Sequence, residues 1–489
     1  MKRAVLVALG VSLATAASAQ NYRARIDGSM QAVSFRGLVP DSIPAADVVT
    51  GPDGGPETPD GFAVRCGAGD HCHYFRPGAP LRGVPMSMSA SVAMWGLRVE
   101  GLSFRATGRL LGDLGDDAAW PATRPSAQLV EGFLEYQRDL VTARAGRQLV
   151  TSRLEPFGFD GGWVRTRWDA ARVEVTGYAG WGLGQAAAVS VVNPALNPLD
   201  EWRPRDRQIV AGAEAAWFVR GVDARAEYRR EVDPANDYFV SERTALSVAA
   251  RAGRMRATGG VDYNIAEGHF GTSDLTLSYL RSWYSVTAGA RHYRPYFSLW
   301  TLWGAFSPVP YNAVHASAQV RATSWLVLDA RGESYRYDDA EVSTALVQGL
   351  ENGGWRANAR ATARVDSIWT VEASYGQEHG PGAAGSFADA AVTFTPGDRY
   401  SFDLYGGSLA RPLELRFYDA TSRWIGGRGE LSVGGHRRLW ADVSLIDDAR
   451  DRPDAAASSL SQVRVRSGFS VAFGSGADRR PLPPARPLR

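Results

Sequence analysis

Polar and apolar residues alternate without interruption from Trp355 to Asp366, and this pattern restricts the segment to an extended conformation. The polar positions carry arginine, asparagine, threonine and aspartate, whereas the positions between them carry alanine and one valine. A β-strand directs successive side chains to opposite faces, so the segment has one charged face and one face of small apolar residues. A strand with these two faces separates water from an apolar environment.

The same alternation recurs along most of the chain, for example in 222–231, 254–264 and 369–378. The apolar face carries mainly Ala, Val, Leu and aromatic residues. A soluble β-sandwich or propeller would bury large aliphatic residues on that face. Charge on one face with apolar and aromatic residues on the other is typical of a membrane-spanning barrel with a polar lumen. The sequence therefore predicts an all-β fold, a transmembrane antiparallel up-and-down β-barrel.

Tight turns and longer connections alternate along the chain, which gives the strand count. In outer-membrane barrels the short turns face the periplasm and the longer loops face outside. This scheme predicts about 22 strands, within a range of about 18 to 24, with both termini in the periplasm. The tight turns are predicted near Arg138-Asp139, Asp169-Ala170, Arg220-Gly221, Gly253, Thr323-Ser324, Asp366-Ser367, Pro396-Gly397 and Gly434-Gly435. The longer connections are predicted at 38–85, 112–125, 151–160, 184–205, 295–311, 338–353 and 449–460.

The two ends of the chain differ from the barrel between them. Residues 1–19 have a charged start, an apolar stretch and a small-residue cleavage site, which predicts a secretory signal peptide. The barrel is predicted over 20–474. Residues 475–489 are rich in Pro and Arg and are predicted to be a disordered or extended periplasmic tail. An export signal before a barrel predicts a location in the bacterial outer membrane.

Barrels of about 22 strands include plugged, energy-coupled transporters, which carry a globular plug before the barrel. Strand-like sequence in this chain begins at Tyr22. We therefore expect no plug domain.

Net charge argues against nucleic acid as a partner. The formal charge of +2 is carried by Lys2 and Arg3 within the predicted signal peptide, so the mature chain is close to neutral. The partners that we expect are outer-membrane lipids, the barrel assembly machinery and small hydrophilic solutes, and the oligomeric state stays open. We expect no cofactor.

Charged residues on the polar strand faces are the candidates for ion and solute selection, because rings of fixed charge in a water-filled pore select what passes. The alternative is that they pair across strands and only keep the lumen wet. The candidates are Arg165, Arg167, Arg225, Arg229, Arg254, Arg256, Arg321, Arg331, Arg356, Arg360, Arg364, Glu227, Asp262, Glu333 and Glu372.

The two cysteines, Cys66 and Cys72, lie within one predicted loop. An exported protein with an even number of cysteines favours a disulfide. His71 and His73 raise a metal site as the alternative, but the spacing matches no standard zinc motif, and we predict no metal site.

The connection 295–311 is unusually aromatic for a loop that faces solvent. It either folds into the lumen as a constriction or contributes to the aromatic girdle at the membrane surface. Its sequence favours neither alternative. The seven histidines lie in no nucleophile-elbow or HExxH context, so we do not expect an enzyme.

Two segments carry a family resemblance. Arg466, Gly468, Val471 and Phe473 resemble the closing-strand signal that the outer-membrane assembly machinery recognises, although here the tail follows it. Gly146-Arg147-Gln148 and Phe159-Asp160-Gly161, within 132–168, resemble a hairpin of porin-like barrels of the alginate-export and substrate-specific porin type. This resemblance covers under a tenth of the chain and implies a porin-like barrel without a named substrate.

Together these features predict a channel for passive or weakly selective diffusion of small hydrophilic solutes through an Arg-rich lumen. The alternative is a non-conducting barrel that presents its extracellular loops as an adhesin or partner-binding anchor.

Overall fold

The computed structural model describes residues 21–51, 54–115, 127–183, 208–234, 238–294, 310–338, 352–380, 383–411, 420–434, 436–450 and 459–475. The predicted signal peptide and all but the first residue of the predicted tail lie outside these residues, and both stay predictions. No helix in the described part of the chain is long and apolar enough to cross a membrane.

The described residues form strands almost throughout, with one 3-10 helix at Ala45–Asp47. The strands are β1 (Asn21–Pro44), β2 (Val49–Thr50), β3 (Pro56–Glu57), β4 (Arg65–Cys66), β5 (His71–Gly83), β6 (Pro85–Trp95), β7 (Leu102–Asp113), β8 (Ala127–Arg138), β9 (Val141–Val150), β10 (Phe157–Trp168), β11 (Val173–Gly182), β12 (Ile209–Val219), β13 (Val222–Asp233), β14 (Tyr238–Ala252), β15 (Met255–Asn264), β16 (His269–Leu280), β17 (Tyr284–Tyr293), β18 (Tyr311–Arg321), β19 (Leu326–Tyr337), β20 (Gly353–Arg364), β21 (Trp369–Gly380), β22 (Ala383–Phe394), β23 (Tyr400–Arg411), β24 (Ala420–Val433), β25 (Arg437–Arg450) and β26 (Leu460–Gly474).

Strand β1 together with β6 to β26 forms a closed antiparallel barrel of 22 strands. Each strand pairs with its neighbours in the chain, and β1 closes the barrel by pairing with both β6 and β26. The all-β class, the up-and-down order and the strand number agree with the prediction.

The eight predicted tight turns all lie between consecutive barrel strands and at the same end of the barrel. Four of them contain a glycine, Gly221, Gly253, Gly397 or Gly434, with φ between 59° and 110°. Glycine adopts this left-handed conformation without the steric cost that a side chain would add. Two further short connections, 96–101 and 281–283, lie at this end and were missed by the sequence analysis.

The predicted long loop 38–85 is largely β-structure. Strand β1 continues to Pro44 and pairs with β5, so the two strands form a ribbon that extends beyond the barrel pairs of β1. Pro77 and Pro80 lie within β5, in register with β1 residues. Proline is tolerated here because a two-stranded ribbon has free edges on which no N–H is needed.

The two faces of the barrel strands follow the predicted alternation. Val314, Leu404 and Ile425 are 56–60% exposed on the outer surface. Glu333, Arg229 and Asp442 lie on the inner face with at most 5% exposed. An apolar outside and a charged inside are the reverse of a soluble protein and match a barrel surrounded by lipid.

Candidate functional site

The connection between β9 and β10, residues 151–156, folds into the barrel. Leu154, in the middle of this inner loop, is only 2% exposed. The backbone N–H of Arg153 donates to both carboxylate oxygens of Glu227 at 3.2 and 3.1 Å. Its guanidinium donates to Asp274 Oδ1 at 2.6 Å. The inner loop is therefore anchored to the wall formed by β13 and β16.

Two buried arginines hold the carbonyl groups of the inner loop. Arg229 Nη2 and Arg243 Nη2 donate to the Leu154 carbonyl at 2.5 and 3.1 Å, and Arg229 Nη1 donates to the Glu155 carbonyl at 3.1 Å. Gly260 provides the space for Arg153, because a Cβ at this glycine would lie 2.6 Å from the guanidinium. Hydrogen bonds from charged donors are worth about 1.5–3 kcal/mol each, so these contacts fix the loop.

Glu155 is the charged residue of the inner loop that stays half exposed to the lumen. Its carboxylate lies 3.8 Å from Arg243. Burial raises the pKa of Glu155 above its ordinary value, although Arg243 and Arg229 oppose this rise. Its φ of 77° lies in the left-handed region. A non-glycine residue held there costs about 1–3 kcal/mol, which the arginine contacts offset.

A second group of charges surrounds Glu333 on β19, whose side chain is 1% exposed. Arg291 Nη2 on β17 and Arg356 Nη2 on β20 donate to Glu333 Oε1 at 2.7 and 2.5 Å. Arg331 lies 3.8 Å from Oε2, and Arg356 also lies 3.9 Å from Glu378. We call these five residues the Glu333 cluster. It links β19, β20 and β21, and Arg291 reaches it from β17 across the intervening strand β18.

Four tyrosines lie beside the Glu333 cluster near the longer connections: Tyr293, Tyr311, Tyr335 and Tyr337. Their ring centroids are 5.2–5.9 Å apart in adjoining pairs. The guanidinium of Arg291 lies 5.4 Å from the centre of the Tyr311 ring, within cation–π range. The lumen therefore carries aromatic surface as well as charge.

Several lumen aromatics lie flat over a glycine of the next strand. A Cβ at Gly354 would lie 2.6 Å from the Tyr335 ring, and a Cβ at Gly426 would lie 2.6 Å from the Tyr405 ring. The same arrangement joins further ring and glycine residues, namely Tyr178 with Gly212, Trp424 with Gly407 and Trp440 with Gly468. These ring-over-glycine pairs were missed by the sequence analysis, although the paired glycines break the polar alternation of the inner face.

The structure divides the predicted selectivity residues into three groups. Glu227 and Arg229 hold the inner loop, and Asp262 accepts from the Thr272 N–H at 2.8 Å beside it. A second group makes ion pairs along the wall: Arg165 with Glu174, Arg167 with Asp169, Arg225 with Glu214, Arg360 with Glu372, and Arg331, Glu333 and Arg356 within the Glu333 cluster. Among the described residues, Arg256, Arg321 and Arg364 have no carboxylate partner.

Arg254, also predicted to face the lumen, lies in the turn before β15, which begins at Met255, and its role in selectivity stays a prediction. The site residues missed by sequence reasoning include Arg153, Arg243 and Asp274 at the inner loop. Arg291 was missed as well, because its strand offers little other charge to identify its polar face.

The cysteines form the predicted disulfide, Cys66–Cys72, which joins β4 to β5 at the tip of the ribbon. Both sulfurs are thereby removed as metal ligands. Within the described ranges, no group of three or more His, Cys, Asp or Glu residues is placed to hold a metal ion.

The resemblance to the closing-strand signal falls on β26. Arg466 faces the lumen and donates to Asp442 at 2.9 Å, and Gly468, Val471 and Phe473 pair in register with β1. The signal thus lies on the strand that closes the barrel, while its recognition by the assembly machinery stays a prediction. Of the connection 295–311, only Pro310 and Tyr311 lie within the described residues.

Solved structures with the same fold include two receptors from Pseudomonas aeruginosa. The siderophore receptor PirA matches at 10% identity and a TM-score of 0.51, over 92% of this chain and 80% of its own. The ferric enterobactin receptor PfeA matches at 10% identity and a TM-score of 0.53, over 92% and 81%. The match to OccAB1 from Acinetobacter baumannii covers 94% of this chain and 99% of its own, at 10% identity and a TM-score of 0.39.

This chain is a bacterial outer-membrane β-barrel. The closed barrel and its apolar outer surface show this directly, because a closed sheet leaves no backbone group unpaired in lipid. No family model matches the sequence, and no curated protein matches it either.

The prediction of a barrel with no plug domain is wrong as a statement of fold class. The two receptors belong to TonB-dependent receptors, which have plug domains, and the match extends over most of their chains. Strand-like sequence from Tyr22 onward bears only on a plug placed before the first strand. A barrel of 22 strands encloses a lumen wide enough to be filled, and the inner loop already occupies part of it.

Proposed function

We propose that this barrel is a channel for passive or weakly selective diffusion of small hydrophilic solutes. The observation that carries the proposal is the inner loop, which narrows the lumen yet leaves Glu155 half exposed to it. A loop held inside a barrel by buried ion pairs limits the size of what passes. Fixed charges on the wall then favour the passage of solutes of opposite charge. We assign the protein no catalytic reaction.

A planar lipid bilayer tests this proposal with purified, refolded protein. We expect stepwise insertion events with stable conductance. Arg243→Ala removes one anchor of the inner loop and should raise the conductance or its noise. Arg65→Ala, in the ribbon tip outside the lumen, is the matched control and should leave the conductance unchanged. If protein shown to be folded gives no conductance, the channel proposal is wrong.

A second candidate is a non-conducting barrel that presents its extracellular parts as an adhesin or partner-binding anchor. The observation that favours it is the ribbon of β1 and β5, which ends in a disulfide-bonded tip. Phe62 stacks on Tyr74 at 5.9 Å there, and Thr58 is 2% exposed, so the tip has packing of its own. A folded barrel that conducts nothing would favour this candidate.

A further inference from the structure

Six arginines on the inner face share a position near the short-turn end of the barrel. Each lies within the first or last four residues of its strand at that end: Arg23, Arg105, Arg251, Arg256, Arg321 and Arg364. Among the residues that the structure describes, none of the six has a carboxylate partner. In contrast, the arginines around the inner loop and the Glu333 cluster are paired. The short-turn end, which we assign to the periplasm, therefore carries six arginines that make no ion pair within the described residues.

Two of these arginines face each other across one small residue. Arg23 on β1 and Arg105 on β7 are both in register with Ala93 on β6, which lies between them. Two strand spacings separate their backbones by about 10 Å. Because Ala93 has a short side chain, the space between the two guanidinium groups stays open. Two arginine side chains can converge on one anion across this gap.

The groove at this point has the size and lining of a binding site. It encloses about 850 Å³ and includes Arg23, Arg105 and the indole of Trp95. Arg25 and Glu135 also line it, but they pair with Asp27 at 2.7 Å and with Arg144 at 2.6 Å. Glu131 is the remaining acid in the lining. The groove thus keeps an excess of one positive charge.

A like-charge contact elsewhere at the same mouth supports this interpretation. Arg251 and Arg256 are directly opposite each other on β14 and β15. Like charges at opposed positions destabilise a sheet unless solvent or a counter-ion screens them. Asp223 lies near this pair, but no ion pair forms among them within the described residues.

We propose that the periplasmic mouth binds a small oxyanion, a carboxylate or a phosphate, between Arg23 and Arg105. The planar guanidinium fork matches the paired oxygens of both groups. The proposal deepens the proposed function, because the bound anion would be a solute that the channel passes. The site itself is defined by the wall and does not require conduction.

The test measures phosphate and acetate binding separately by calorimetry on the folded, detergent-solubilised protein. We expect saturable binding of at least one anion. Arg23→Gln combined with Arg105→Gln should weaken it at least tenfold, and Ala93→Glu, which places a carboxylate between the arginines, should abolish it. Arg98→Gln is the matched control, since Arg98 lies in the exposed turn between β6 and β7.

The outcomes separate the site from the channel. If neither anion binds, or if Arg98→Gln weakens binding as much as the double substitution, the proposed site is wrong. A conducting barrel with no such site would leave the channel proposal intact. A non-conducting barrel that binds phosphate through Arg23 and Arg105 would retain the site and reject the channel. Circular dichroism of each variant checks that it has folded.

Discussion

Replacing Glu333 by glutamine should destabilise the barrel more than any exposed charge change. Glu333 accepts hydrogen bonds from Arg291 and Arg356, and Arg331 lies 3.8 Å away. Glutamine has nearly the same shape but no charge, and its amide group presents hydrogen-bond donors to guanidinium groups that are themselves donors. Three arginines would then face each other without the carboxylate that separates them.

The magnitude follows from burial and geometry. Hydrogen bonds to a charged group contribute about 1.5–3 kcal/mol each, and breaking a buried ion pair by removing one partner costs about 3–5 kcal/mol. Glutamine keeps one acceptor oxygen, so we expect Glu333→Gln to lower the free energy of unfolding by about 3 kcal/mol. Glu372→Gln provides the control, because its partner Arg360 is 3.5 Å away and 41% exposed. Exposed pairs are worth about 0–1 kcal/mol.

The assay is urea unfolding of the barrel from lipid vesicles, followed by tryptophan fluorescence. The difference between the two variants is the informative quantity, because both remove one negative charge from the lumen. If Glu333→Gln destabilises the barrel no more than Glu372→Gln, the Glu333 cluster does not stabilise the wall as argued. The ion pairs would then be surface contacts in a wet lumen.

Three further outcomes are expected. Because burial raises the pKa of Glu155, acidification protonates it before ordinary glutamates. The folded state binds this proton more readily than the unfolded state, so lowering the pH through that range stabilises the folded loop and shifts the reversal potential towards anion selectivity. Glu155→Gln should show neither effect. Cys72→Ser should leave single-channel conductance unchanged but increase proteolysis of the ribbon tip, as limited digestion would show; a changed conductance would place the tip in the permeation path. Gly354→Ala should displace the Tyr335 ring and lower the unfolding midpoint, whereas Gly332→Ala, with no atom within 4 Å of its Cβ, should not; equal midpoints would refute the packing argument.

The barrel wall was largely predictable from sequence because the two-residue period of a strand is a local property. Glu372 was assigned to the lumen from alternation alone, and its ion pair with Arg360 on the next strand places it there. The tight turns were predictable for the same reason, since glycine at Gly221 or Gly253 reports a local backbone conformation.

The inner loop could not be predicted, because what holds it lies far away along the chain. Arg153 binds Glu227 and Asp274, which are 74 and 121 positions distant. No pattern within residues 151–156 indicates which way the loop folds. Of the residues that anchor the loop, only Glu227 and Arg229 were predicted as lumen candidates, and their role depends on the partner that folding brings to them. Arg243 and Asp274 were missed. The Glu333 cluster shows the same limit, because Arg291 is recognised only through the carboxylate two strands away.

Because of the ring-over-glycine pairs, the width of the pore and the charge of its wall are set by different residues. Where Tyr335 or Tyr405 lies flat on a neighbouring glycine, the largest side chains of the wall take up the least of the cross-section. A side chain at Gly354 or Gly426 would lift the ring and narrow the passage, with every arginine and carboxylate left in place. The permitted solute size and the preferred solute charge can therefore change through separate substitutions, so that one can evolve while the other is conserved.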